Sequence, residues 1–451
     1  MRQYLRYILV MFALFIGTCA YSQINKWQDL YKVKKKDTIF GIAKKYGLTI
    51  PDLMNANPEM KEAGYELKKG DTLFIPYISK AVVPASVSKK GQTPVKMDVK
   101  FRTVKVGIML PLHNVDRDGK RMVEYYRGFL LACEDMKAEG LSIDVHAWNV
   151  PIDADIRQTL LQQGAKDCDV IFGPLYTPQV KALGDFCKTY DIKMVIPFSI
   201  TGDEVGSNAH IYQVYQSASN LNNDAIKAYF ERFPNHHPVF VDCNDTVSKK
   251  GVFTFGLRNQ LEQKGIKYSI TNLKSSEQMF SKAFSRTQPN VVILNSGRSP
   301  ALNVAFAKLS SLLISYPQIK VSLFGYTEWL MFTKNNLDNF NKFDTYIPTT
   351  FYYNPLSPRV KQLEERYRKA FHQDMQYALP RFAITGYDQA QFFLQGLHKY
   401  GKNFSGARDL TVSTPVQTSY NFVKEGEGGY QNSNFELIHY KTDNSIESIT
   451  Y

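Results

Sequence analysis

Residues 171–199 read IFGPLYTPQVKALGDFCKTYDIKMVIPFS. The apolar run that ends at Phe172 is a strand beginning at Asp169, and Gly173-Pro174 closes it. Pro178–Tyr190 carries apolar residues at helical spacing, including Val180 and Leu183. Lys193–Ile196 is a second apolar strand. Strand, helix and strand within thirty residues predict two parallel strands joined by a crossover helix.

The same alternation extends outward in both directions. Val104, Val106, Ile108 and Leu110 alternate as a strand, and Val123, Tyr126, Leu130, Cys133 and Met136 then recur at helical spacing. A second series follows: strand Val239–Asp242, helix Val252–Lys264, strand Asn290–Leu294, helix Pro300–Ser315 and strand Lys320–Phe324. Two such series predict an α/β fold in two lobes, each with a parallel sheet covered on both faces. The expected first lobe is about 104–214 with a return near 350–405, and the second is about 218–345.

The front of the chain is different. Arg2 and Arg6 precede the apolar run Ile8–Gly17, and Ala20-Tyr21-Ser22 precede Gln23, the pattern of an export signal cleaved after Ser22. Cys19 offers a rival reading as a lipid attachment point. No later segment has the ~20 consecutive apolar residues of a membrane helix, so residues 1–22 are read as a signal peptide and the rest as exported to the periplasm or cell envelope. The net charge is +13. Residues 24–103 hold 16 Lys and Arg against 8 Asp and Glu, so the positive charge is concentrated there. That suits an anionic envelope surface and does not by itself make a nucleic-acid site, which needs basic patches on a binding fold. Residues 78–103 are rich in Pro, Ser and Lys without periodicity and read as a basic flexible linker. After signal removal four cysteines remain, Cys133, Cys168, Cys187 and Cys243. They match no zinc spacing, and they are either buried thiols or disulfides in one of three pairings.

Within residues 23–77 the order is strand, helix, helix, strand. Tyr31-Lys32-Val33 opens it. Asp37-Thr38 precede Ile39, Ile42, Ala43 and Tyr46, and Gly47 ends that helix. Ile50, Leu53 and Met54 form a second helix stopped by Asn57-Pro58. Leu67–Pro76 supplies a turn and the last strand. The segments D-T-I-x-x-I-A-x-x-Y-G, D-L-x-x-x-N-P and L-K-x-G-D-x-L-x-I-P resemble the LysM domain, a module that binds glycans containing N-acetylglucosamine. The resemblance implies a shallow sugar groove between two loops, one with Asp37, Thr38, Ile39 and Phe40, the other with Asn57, Pro58, Glu59 and Met60. Lys36 stands where that family has Gly, and Lys61–Glu66 lengthen the second loop. A LysM fold that has lost sugar binding is the alternative.

In the larger region, Val106–Leu112, Tyr126-Arg127-Gly128 through Ala132, residues 171–199 and GYDQAQFFLQGL (Gly386–Leu397) resemble type I periplasmic binding proteins, the branched-chain amino-acid receptor group. The resemblance implies two lobes joined by three crossovers with a ligand between them. In open α/β sheets ligands sit at the carboxyl ends of strands, so the candidate cleft residues are Leu112, Tyr176, Thr177, Phe198, Ser199 and Thr201 from the first lobe and Asn244, Ser296, Arg298, Tyr326 and Glu328 from the second. Thr177-Pro178 and Ser299-Pro300 each read as a capping hydroxyl and an N1 proline, which would leave a helix start open to an anion. Bulky Phe198 and Ile200 flank Ser199, where the receptor group has small residues around the amino-acid head. Tyr387-Asp388 read as packing and capping residues.

No catalytic pattern emerges. Cys168 in DCDVIF falls at a strand start, not at a helix that would expose a nucleophile. His236-His237 are adjacent on a turn, which rarely serves one metal. The sequence contains no G-x-S-x-G. The reading is a non-enzyme without cofactor or metal: an envelope protein that binds peptidoglycan through its LysM module and a small ligand, such as an amino acid or peptide, in its cleft. The alternatives are a ligand-free scaffold that regulates peptidoglycan synthesis through contacts with wall-synthesis proteins, as Gly173-Pro174-Leu175 with Val180 and Leu183 suggest by their resemblance to the lipoprotein activators of penicillin-binding proteins, and a cell-wall hydrolase.

Overall fold

The computed structural model describes residues 27–46, 48, 50–61, 65–76, 98–198, 204–248 and 250–451. The signal-peptide reading, Gly47, Ser199, Ile200, Thr201 and most of the linker lie outside the described residues. The chain divides into two compact units, Met1–Val95 and Lys96–Tyr451.

In the small unit, strand β1 (Trp27–Lys32) pairs antiparallel with β2 (Thr72–Pro76), and helices α1 (Ile39–Lys45) and α2 (Ile50–Ala56) lie between them in sequence. Its core is Tyr31, Val33, Ile42, Ala43, Leu53, Met60, Leu73 and Ile75. Thr38 caps α1 by accepting a bond from the Gly41 amide, and Asp37 accepts from the Lys34 amide at 2.7 Å and the Tyr31 hydroxyl at 2.9 Å. Lys36 has φ 77°, the left-handed region in which a side chain is strained.

The larger unit contains β3 (Val104–Leu110), α3 (Arg117–Ala138), β4 (Ile143–Asn149), α4 (Ile156–Leu160), β5 (Val170–Phe172), α5 (Thr177–Tyr190), β6 (Lys193–Ile196), α6 (Glu204–Ser207) and β7 (Ile211–Gln213). There follow α7 (Ala218–Arg232), β8 (His237–Asp242), α8 (Gly251–Gln263), β9 (Ser269–Asn272), α9 (Glu277–Ser281), β10 (Asn290–Leu294), α10 (Ser299–Ser315), β11 (Val321–Phe324), α11 (Thr333–Lys342) and β12 (Thr345–Thr349). The chain ends with α12 (Pro358–Phe371), α13 (Phe382–Tyr400), β13 (Phe422–Lys424), β14 (Tyr430–Asn432), β15 (Glu436–Tyr440) and β16 (Ile446–Thr450). The first sheet has the order β13-β14-β7-β6-β5-β3-β4 and the second β16-β15-β12-β11-β10-β8-β9. Both are mostly parallel; β13, β15 and β16 are the antiparallel additions.

The parallel strands are apolar because both faces are covered: every residue of β5, β10 and β12 is buried. Among the described residues three crossings join the sheets, at residues 214–217, 350–357 and 433–435. Each connects the carboxyl edge of one sheet to that of the other. Gln213 ends β7 and leads to the start of α7, Thr349 ends β12 and leads to Tyr352, whose amide donates to Gln417 O beside the start of α13, and β14 leads into the start of β15 beside Thr349. Both carboxyl edges therefore border the crossings.

Two differences from the sequence reading have plain causes. Residues 98–103 are not linker. Val99 is buried in the first lobe's core, and Arg102 forms a bidentate pair with Asp169 at 2.7 and 2.5 Å. The last forty-odd residues serve both lobes: β13 and β14 extend the first sheet, β15 and β16 the second.

Helices α3 and α13 pack side by side in parallel. Gly128 and Gly386 make this approach possible: a Cβ on Gly128 would strike the Ala383 carbonyl, and one on Gly386 the Tyr125 carbonyl. On helix propensity alone, Gly128→Ala should stabilise by about 1 kcal/mol. Here we expect the opposite sign, a loss of about 2–3 kcal/mol from overpacking against backbone, read from the urea midpoint of residues 98–451.

Candidate functional site

The loops proposed for sugar binding in the small unit divide into framework and surface. Asn57 is fully buried. Its amide donates to Leu53 O at 2.7 Å and Phe74 O at 2.9 Å, and its oxygen accepts from Phe74 N at 2.7 Å. It has no free donor for a glycan; it ties the end of α2 to β2. Met60 is 4% exposed and belongs to the core. Asp37 is committed to its turn and Thr38 to its cap. Exposed surface remains on Thr38, Phe40, Pro58 and Glu59, with Ile39 half-buried. Phe40 is 41% exposed, an apolar ring suited to a sugar face.

At the carboxyl edge of the first sheet, Phe198 follows β6, Tyr215 follows β7 and Phe382 opens α13. Phe198 is half-buried and sits at the centre, its ring 5.9 Å from Tyr215, 5.6 Å from Phe382 and 5.4 Å from the buried Tyr125. Arg121, from the first turns of α3, lies over Phe382 at 5.2 Å and 3.7 Å from Asp118. The Tyr176 hydroxyl reaches Asp118 at 3.5 Å; burial, with Asp118 beside it, pushes that hydroxyl up to about 12. Leu112 is half-buried against the core, and its amide donates to Asn149. The result is an aromatic wall with a charged margin of Arg121 and Asp118.

The second sheet's carboxyl edge is polar and satisfied from within. Ser296 is fully buried and donates to Asp245 at 2.6 Å. Arg298 pairs with Asp245 at 3.2 Å, and the Ser296 hydroxyl with this arginine holds the Asp245 carboxyl below the usual range. Asn244 and Asn272 exchange amide bonds at 2.8 and 3.1 Å, and Asn295 bridges Cys243 N and Asp242. Glu328 is held by Lys250 at 2.5 Å. Tyr326 is 5% exposed, with its hydroxyl on the Leu294 carbonyl, so it does not face a ligand.

The expected capping hydroxyls are displaced by one residue. Tyr176 and Arg298 occupy the cap positions, neither with a side-chain cap bond, and Thr177 and Ser299 are already helical. Each proline then stands second in its helix, where its missing N–H is still without cost. Asp388 caps backbone, accepting from the Val416, Gln417 and Thr418 amides at 2.7–2.8 Å. Cys133, Cys187 and Cys243 are free thiols. The sequence reading missed Tyr215, Phe382 and Arg121; only their positions just after a strand or at a helix start signalled them.

Residues 31–76 match the family model of the LysM domain. No curated protein matches the chain. Among solved structures, a protein assigned to branched-chain amino acid ABC transport in Rhodospirillum rubrum is 13% identical, with a TM-score of 0.54, over 77% of this chain and 100% of its own. A Desulfitobacterium hafniense ABC transporter substrate-binding protein in complex with Leu is 16% identical, TM-score 0.42, covering 77% of this chain and 100% of its own. A Streptococcus pneumoniae branched-chain amino acid transporter substrate-binding protein in complex with isoleucine is 12% identical, TM-score 0.41, covering 78% and 100%. The Rhodospirillum match gives the larger unit the type I periplasmic-binding-protein fold, and the small unit is a LysM domain. Among the described residues no helix is long and apolar enough to cross a membrane.

Asn57→Ala should cost the small unit about 2–4 kcal/mol, because it strands several buried backbone groups, whereas Phe40→Ala should leave its melting unchanged. Lys36→Gly should stabilise it by about 0.5–1 kcal/mol, the relieved left-handed strain outweighing the added freedom of the unfolded chain. Thermal melts of the three variants check both statements.

Proposed function

We propose that this chain is a non-catalytic, exported envelope protein. Its LysM domain holds it to peptidoglycan, and its two-lobe unit binds a ligand between the lobes. The ligand presents an apolar or aromatic face, as a short peptide does. The observation that carries the second half is the aromatic wall at the first sheet's carboxyl edge, Phe198 with Tyr215 and Phe382. A free amino-acid head group asks for open hydrogen-bonding groups on both sides. The second sheet's polar side chains are already bonded to one another, which leaves stacking and apolar contact on the first lobe as the main source of affinity.

A second reading is favoured by one observation. Val115 and Ile152, in loops after β3 and β4, are 87% and 67% exposed, and Val247 and Val252, in the loop after β8 and the start of α8, are 70% and 73% exposed. Apolar rims on both lobes also suit a protein partner, so the same edge serves the scaffold alternative.

The first half is tested by co-sedimentation with purified sacculi. The full chain should pellet, and Phe40→Ala, folded as judged by its melt, should lose binding at least tenfold. Undiminished pelleting of Phe40→Ala would remove the loop Thr38–Phe40 from the glycan site.

A further inference from the structure

A second concave site lies outside the carboxyl edges. It is a groove of about 590 Å³, within the ~300–1,000 Å³ range of ligand clefts. It is lined by the last turns of α3, by Tyr387, Gln391 and Gln395 of α13, by Arg359 of α12 and by residues 412–414. Asp135 stands eighteen residues into α3, roughly 27 Å along the helix from its start, and none of the groove's lining residues belongs to the aromatic wall.

Its walls are fixed. Arg359 donates to Thr414 O at 2.8 Å and Pro415 O at 3.1 Å, and Asp388 holds the next three backbone amides. Tyr387, Gln391 and Gln395 are spaced by four on α13 and share one face. Gln391 is only 8% exposed. Its oxygen accepts from Gln395 at 2.6 Å, while its amide nitrogen has no partner among the described residues and lines the groove. Gln395 also reaches Glu139 at 3.5 Å. The charges are offset: the Asp135 carboxylate accepts from the Tyr387 hydroxyl at 2.7 Å and pairs with Arg366 at 2.7 Å.

A lining of carboxamides, hydroxyls, the Arg366-paired Asp135 and the exposed Glu139, whose charge Arg359 balances in number, with Val412 its main apolar member, recognises an uncharged ligand that both donates and accepts hydrogen bonds at many points. We propose that this groove is a second glycan site, for acetamido-sugar units, with the Gln391 amide nitrogen, open to the groove, as its central donor. The choice of sugar rests on the reading of the LysM domain as a peptidoglycan binder; the groove itself does not.

Titration calorimetry with the N-acetylglucosamine tetramer tests it, using the full chain and residues 98–451, a compact unit with its own cores. Residues 98–451 should bind the tetramer. Gln395→Ala and the more exposed Glu139→Ala should each weaken binding at least fivefold with unchanged circular dichroism, and Gln391→Leu should abolish it. Binding by the full chain but not by residues 98–451 overturns the groove and leaves the LysM reading standing. Binding by residues 98–451 that ignores Gln395→Ala and Glu139→Ala places the sugar elsewhere and also overturns it. Absence of binding by either form removes both.

Discussion

The larger unit depends on how its two sheets are joined. All three crossings run from carboxyl edge to carboxyl edge, and side-chain amides stitch two of them together. Gln216 donates to Asn434 O at 3.0 Å, Gln431 to Tyr215 O at 3.0 Å, and Asn432 to Val214 O at 3.2 Å. Carboxamides suit this task because each can satisfy backbone groups in strands that have left their sheet. The third crossing is tied to the second as well, through Thr349 pairing with Glu436. Because the seams lie at the carboxyl edges, the loops that follow the strands are brought to the same border. Tyr215, one of the aromatic residues there, is itself part of a crossing.

The two lobes then differ in what they bring. The first offers rings, the second a network of Asp242, Asn244, Asp245, Asn295 and Ser296 whose bonds are already made. A polar group already bonded inside the protein gains little by exchanging partners. An aromatic ring loses water from its surface whenever something covers it. This asymmetry separates the present edge from one built around a charged amino-acid head. In the small unit the same division falls within single loops: Asn57 and Met60 are framework, whereas Phe40 and Glu59 are surface.

The alternating strand-helix series was legible because parallel strands buried on both faces leave long apolar runs, as in Asn290–Leu294 and Lys193–Ile196. The small unit was legible from its helical spacing and its turns. β4, with Asp144, His146 and Asn149, hid because an edge strand does not need to be apolar. β15 hid because Glu436 and His439 are buried with partners, Glu436 accepting from Ser448 and Asn434 and His439 bonding Asp344. The candidate sites were read less well. Position after a strand was enough to find Phe198, but it could not show that Tyr326 and Ser296 turn inward, or that Asn57 spends its amide on Phe74. Those outcomes depend on contacts between residues far apart in sequence.

The central claim, that the aromatic edge of the two-lobe unit holds a ligand, is tested most directly by native mass spectrometry of residues 98–451 purified gently from the host. The account predicts an added mass that is released on denaturation and is absent from folded Phe198→Ala. An apo mass for the parent, unchanged on adding peptides released from the host envelope, would contradict it and leave the surface to a protein partner.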